Sequence, residues 1–123
     1  MATSQALELG KKLVELCRSG KNLEAIDSLY SKDIISVEAT PMPSQPAEMR
    51  GLDAIRKKNQ MWMDEFDWNS GSVSEPMVHG DRFSIFYTMD VTNKKTGKQM
   101  HMEEIGLYTV KDNKIIKEEF FYH

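Results

Sequence analysis

Gln99-Met-His-Met-Glu-Glu-Ile-Gly-Leu-Tyr-Thr-Val110, the link Lys111-Asp-Asn-Lys114, and Ile115-Ile-Lys-Glu-Glu-Phe-Phe-Tyr-His123 close the chain. Two segments rich in β-branched and aromatic residues flank Asp112-Asn113, a pair that tolerates the positive φ of a tight hairpin turn. Counting outward from that turn pairs Val110 with Ile115, Tyr108 with Lys117, Gly106 with Glu119, and Glu104 with Phe121. Side chains alternate across a sheet, so these residues share one face. The other face carries Glu103, Ile105, Leu107 and Thr109 with Ile116, Glu118, Phe120 and Tyr122. Both faces mix apolar residues with carboxylates. That mixture points to a sheet that lines something.

Upstream of this hairpin the chain divides into a helical part and a strand part. Ser4 is placed to cap a helix whose Ala6, Leu9, Leu13, Leu16 and Cys17 recur at helical spacing, with Gly20 as its stop. Asn22 is placed to cap a second, short helix with Leu23, Ile26, Leu29 and Tyr30 on its inner side. A strand over Ile34 to Ala39 comes next, and Pro41, Pro43 and Pro46 make the segment after it a loop. A third helix starts near Gly51, with Leu52, Ile55, Trp62 and Phe66 as its apolar stripe. Ser70 to His79 and Arg82 to Thr92 read as strands, the latter with Phe83, Ile85, Tyr87, Met89 and Val91 on one face. The order predicts one α+β domain over residues 1–123, with three N-terminal helices packed on one face of a curved antiparallel sheet.

Composition bounds the function. With 123 residues the chain has the length of one ordinary domain and can bury a core. A formal charge of -3 gives no electrostatic footprint for nucleic acid, and the group Arg56-Lys57-Lys58 reads as solvated helix surface. No apolar run reaches the roughly 20 residues of a membrane helix. The start, Met-Ala-Thr-Ser-Gln, carries neither a basic leader nor an apolar signal core. The one cysteine, Cys17, excludes an internal disulfide and fits a cytoplasmic protein. His79, His101 and His123 lack the spacing of a zinc motif, so no metal is expected. No glycine-rich loop precedes a helix, and no nucleophile elbow is present.

The order of elements, the tail Tyr-Thr-Val-Lys-Asp-Asn-Lys-Ile-Ile-Lys-Glu-Glu-Phe-Phe-Tyr, Gly51-Leu52-Asp53-Ala54-Ile55 opening a helix, and Gly80-Asp81-Arg82-Phe83 before a long strand resemble the SnoaL-like branch of the nuclear transport factor 2-like superfamily. Asn113 stands where those proteins commonly have glycine, a change that a left-handed turn accepts. The resemblance implies a cone-shaped α+β fold whose sheet wraps around the helices to leave an internal pocket, often in a homodimer. It also implies that Tyr108, Val110 and Ile115 point inward.

That orientation takes Glu104 and Glu119 inward, with Met100, Met102 and Phe121. Glu38 alternates with Val37 in the first strand and is a third inward carboxylate. The candidate catalytic residues are therefore Glu104, Glu119 and Glu38. Candidate ligand contacts are Tyr108, Asp90, Trp62, Tyr87, Met102 and Phe121; Asp90 belongs only if a bulge turns it from the face opposite Tyr87 and Met89. Carboxylates that share an apolar pocket raise each other's pKa, which yields an acid/base pair near neutral pH. Gly106 leaves room between Glu104 and Glu119 for a carbonyl. Three readings are open: a cofactor-independent cyclase, isomerase or dehydratase acting on a hydrophobic carbonyl compound; a non-catalytic pocket for a small hydrophobic molecule; and an interaction module. A homodimer is expected through the face bearing Ile105, Leu107, Phe120 and Tyr122, which is too apolar to be left to water.

Overall fold

The computed structural model describes residues 4–41 and 46–123; the expected loop residue Pro43 lies outside the described residues, as do the first three of the chain. Helix α1 spans Gln5–Arg18, and the Ser4 hydroxyl accepts from the Leu7 amide at 3.3 Å as expected of its cap. Its stripe of Ala6, Leu9, Leu13 and Val14 meets Ala25, Ile26 and Leu29 of α2, Asn22–Leu29. Asn22 is the first residue of that helix rather than its cap; Lys21 occupies the cap position without a side-chain bond. Tyr30 leaves α2 directly into β1, Tyr30–Val37. After β2, Glu48–Arg50, Gly51 takes φ 90 and turns the chain into α3, Leu52–Glu65. A strand of three residues is too short to leave a pattern in the sequence.

The rest is strand: β3 Phe66–Val73, β4 Met77–His79, β5 Arg82–Asn93, β6 Gln99–Lys111 and β7 Lys114–Phe121. The segment expected as one strand from Ser70 to His79 is therefore broken in two, with Pro76 in the gap. The sheet order is β2-β1-β7-β6-β5-β3, with β4 also on β5. All pairings are antiparallel except β1 with β7, which is parallel. The sheet is antiparallel-dominated as expected, and its one parallel pairing arises because the first and last strands are neighbours. No hairpin joins them to set their relative direction. The helices cover one face, and Ile34, Phe83, Ile85, Tyr108, Val110 and Ile115 meet them in the core.

A single bulge decides what faces inward. Asp112 and Asn113 have φ 52 and 61, as the turn demands, and Val110 pairs with Ile115 as expected. One step further, Thr109 pairs with Lys117, leaving Ile116 as an extra residue on β7. From there every pairing shifts: Tyr108 with Glu118, Leu107 with Glu119, Gly106 with Phe120, Ile105 with Phe121. A one-residue slip exchanges the two faces of a strand. Glu118, Phe120 and Tyr122 therefore turn inward, whereas Glu119 and Phe121, expected inside, lie on the outer face. Glu118 is 2% exposed and Phe121 51%. Glu119 instead stands 3.8 Å from Lys117 at the surface.

Gly106 does not open space for a ligand. A Cβ there would lie 2.8 Å from the Tyr108 hydroxyl and 2.9 Å from its ring, so that ring fills the gap. Gly106→Ala must displace Tyr108 and should lower stability by about 1–3 kcal/mol, the usual cost of overpacking. A urea unfolding midpoint equal to that of the parent chain would contradict this packing.

Candidate functional site

The inward turn of β7 sets a carboxylate in the core, and the neighbouring elements supply its partners. Tyr30, at the start of β1, donates its hydroxyl proton to Glu118 Oε1. Ser36 Oγ donates to Glu118 Oε2 at 2.7 Å. β1 is irregular between Tyr30 and Ile35, and that irregularity brings both hydroxyls to the same carboxylate. Lys58 of α3 donates from Nζ to Ser36 Oγ at 2.7 Å and to Glu38 Oε2 at 3.0 Å, and lies 3.7 Å from Glu118 Oε2. Tyr122 donates its hydroxyl to Glu38 Oε1 at 3.1 Å. A continuous polar chain thus runs from Tyr30 in the core through Glu118, Ser36, Lys58 and Glu38 to Tyr122. The Lys58 ammonium also sits 5.2 Å from the centre of the Phe120 ring.

Lys58 is only 8% exposed. It corrects the reading of Arg56-Lys57-Lys58 as solvated surface: Lys58 follows Ile55 by three residues, on the buried side of α3. Removing one partner from such a buried set leaves a charge without compensation, a loss of about 3–5 kcal/mol.

Glu104 stands on the same inner face, paired across the β5–β6 ladder with Tyr87. It is half-buried and, among the described residues, makes no hydrogen bond or ion pair. Burial pushes its pKa from 4.5 to about 7; the negative charges of Glu38 and Glu118 add to the rise, and Lys58 opposes it. Beneath it the Tyr87 and Tyr108 hydroxyls meet at 2.6 Å, and Tyr108 stacks on Phe83 with ring centres 4.9 Å apart. Burial raises both phenols, and Tyr30, well above their ordinary range. These tyrosines stay neutral as hydrogen-bonding groups. Burial likewise lifts the Cys17 thiol to about 11, leaving it protonated and unreactive near neutral pH.

The expected site residues divide accordingly. Glu104, Glu38, Tyr87, Tyr108 and Met102 belong to the inner side, with Met102 two residues beyond Glu104 and paired with Met89. Trp62 is half-buried on α3 and packs against Phe66 at 5.2 Å. Asp90 faces outward, bonded to Ser70 at 3.2 Å and to His101 Nδ1 at 2.9 Å, with Glu103 2.9 Å from the other ring nitrogen. The strand irregularity falls on β3, between Trp68 and Ser70, so alternation along β5 is unbroken and Asp90 stays opposite the buried Val91. Glu119 and Phe121 are outside because of the β7 bulge. Glu118, Lys58 and Ser36 are the members that sequence reading missed. Two shallow surface depressions lie elsewhere, one beside α1 around Lys11 and Arg18, the other on the sheet around Asn69 and Met100. Among the described residues no three His, Cys, Asp or Glu side chains converge as a metal site, and no helix is long and apolar enough to cross a membrane.

Glu104 carries a pH signature with a definite sign. The folded protein holds its proton up to about pH 7, the unfolded chain only to about 4.5. Stability from this group is therefore full below 4.5 and is lost as pH rises through about 7. Glu104→Gln removes the effect. Between pH 4 and pH 8 the unfolding free energy of the variant should gain about 3 kcal/mol on that of the parent chain. A difference independent of pH would contradict the assignment.

A family model for the SnoaL-like domain matches residues 2–122. Among solved structures, a protein of Mesorhizobium loti named a SnoaL-like polyketide cyclase, with carbohydrate phosphatase in brackets, is 41% identical. It covers 94% of this chain and 97% of its own, with TM-score 0.87. A SnoaL-like polyketide cyclase by name from Jannaschia sp. CCS1 is 13% identical over 98% of this chain and 90% of its own, TM-score 0.79. TerC, co-crystallised with polyporic acid, is 18% identical over 98% and 92%, TM-score 0.75. At such identities the last two show the shared fold alone. Comparison with curated proteins gave no match.

Proposed function

The chain belongs to the SnoaL-like family, and from that premise we propose that its inner-face cluster is an acid/base site for a small, uncharged, carbonyl-containing molecule, working without a cofactor. The observation that carries this reading is Glu104: a half-buried carboxyl poised near pH 7, with no hydrogen-bond or ion-pair partner of its own among the described residues, within electrostatic reach of the buried Lys58 ammonium. Such a group exchanges protons at neutral pH. A ligand would enter past the half-buried Met89, Met102, Phe120 and Tyr122 and set its carbonyl toward Lys58. An ammonium has three N–H groups, and two of those on Lys58 have acceptors, Ser36 and Glu38.

Ionised Glu104 would take a proton from the carbon next to the carbonyl. The bonding pair then becomes the enolate, whose oxygen is stabilised by the Lys58 cation. Protonated Glu104 returns the proton to carbon, or a leaving hydroxyl carries it away as water. Isomerisation, cyclisation and dehydration share that first step. Glu38 and Glu118 hold Lys58 in place. Two carboxylates against one ammonium make the cluster net negative, which favours a neutral ligand over a phosphate ester and argues against phosphatase chemistry. We place the protein in the cytoplasm on its one cysteine, held as a thiol.

Exchange of carbonyl α-hydrogens in D2O, followed by NMR over a panel of ketones and β-keto esters, tests the proposal without a known substrate. Catalysed exchange should rise through a limb near pH 7 and fall about 10²–10⁴-fold in Glu104→Gln. Exchange equal in parent and variant would remove Glu104 from the chemistry. Retained binding of a panel ketone with no exchange in the parent chain would favour a non-catalytic carrier.

A further inference from the structure

The inner face continues past Glu104 to the edge of the sheet, and there it carries an open aromatic ring. Trp68 on β3 pairs with the fully buried Val91, so it stands on the inner face. The irregularity between Trp68 and Ser70 makes Asn69 an extra residue, and Gly71, paired with Met89, returns to that same face. Trp68 folds back along its own strand over Gly71. A Cβ at Gly71 would overlap the six-membered ring and also the Thr88 carbonyl oxygen. Glycine inside a strand gives up packing, and here it makes room for an indole. Yet that indole is 54% exposed, far more than core packing asks of a tryptophan.

The ground between Trp68 and Glu104 is apolar. Gly71, Met89 and Met102 pair in a row across β3, β5 and β6, and both methionines are half-buried. Their thioethers suit a floor under a ring, because they adapt in shape and attract its edge. Glu104 lies two residues from Met102 on the same side of β6. Two strand spacings and two residues along β6 put it about 12 Å from Gly71. Trp62 and Phe66, both half-buried, pack on each other with ring centres 5.2 Å apart. Trp68 is therefore the ring on this side with surface to offer.

We propose that Trp68, seated on Gly71, is a stacking platform for an aromatic ring at the far end of the ligand, and that it sets which carbonyl compounds the inner site accepts. The proposal rests on the acid/base reading for the ligand's other end, where the carbonyl lies beside Glu104. Taking one contact distance of about 4 Å from the 12 Å span leaves ring and carbonyl about 8 Å apart. The ligand class is thus an aryl-alkyl carbonyl compound whose spacer is about four methylenes long. Contact with a remote ring holds the reacting end in register, which is how distant binding energy serves a reaction. A saturated ring of the same size fills the same space without the stacking, so Trp68 distinguishes the two.

A matched pair of secondary alcohols tests the platform apart from the chemistry, since neither has a carbonyl for Glu104 to act on. One ends its methylene chain in a phenyl ring, the other in a cyclohexyl ring. The chain has two tryptophans, and the indole N–H signal lost in Trp68→Leu identifies Trp68 by NMR. That signal should move under the ring current of the phenyl alcohol as it is titrated in. From the same titrations the phenyl alcohol should bind about three- to tenfold more tightly than the cyclohexyl one. Trp68→Leu, at an exposed position, should keep the parent circular dichroism and lose that preference. Gly71→Ala retains the indole but displaces it, and should lose the preference as well. Equal affinity for the two alcohols, a phenyl preference that survives Trp68→Leu, or an unmoved Trp68 signal would overturn the platform, whatever deuterium exchange at Glu104 shows. A phenyl preference carried by Trp68 in a chain that exchanges no α-hydrogens would support the platform and remove the acid/base reading alone.

Discussion

The Lys58 ammonium between Glu38 and Glu118 is the interaction on which the rest of this structure depends. It joins α3 to β1 and β7 through charges held almost out of water, and each partner's burial is tolerable only while the others are present. Helix α3 otherwise buries little: Ile55 and Lys58 are its two buried residues. Its docking against the sheet therefore relies on a polar contact more than on apolar area. The network also has a direction, from the neutral, fully buried Tyr30 to Tyr122 near the rim.

The same charges bear on the protonation of Glu104. A carboxyl beside two others would be repelled strongly, and one beside a lysine alone would stay ionised. Here Lys58 is already engaged by Glu38 and Ser36, so its pull on Glu104 is weaker than burial and the like charges together. The balance leaves Glu104 near pH 7. Glu118 and Glu38 hold Lys58 and add to the field at Glu104.

Much of the fold was legible because local chemistry and global pattern agree. Ser4, the α1 stripe, Asp112-Asn113 and the alternation along β5 each fixed an element correctly. The site was legible only in part, and for one reason. Sequence alternation assumes an unbroken ladder, and the extra residue at Ile116 exchanges Glu119 for Glu118 without any glycine or proline to announce it. Lys58 was hidden differently: it sits inside a basic triplet, and only its spacing from Ile55 marks it as facing the sheet. Asp90 shows the converse, since plain alternation placed it outside and the structure keeps it there. The parallel pairing of β1 with β7 joins residues more than eighty positions apart, a distance at which no local signal operates.

The most direct measurement is the titration of Glu104 itself in the ligand-free protein, by the ¹³C shift of its carboxyl carbon. The account predicts a midpoint near 7, moving down in Glu118→Gln and up in Lys58→Met. A midpoint at the ordinary 4.5, unmoved by either substitution, would contradict it.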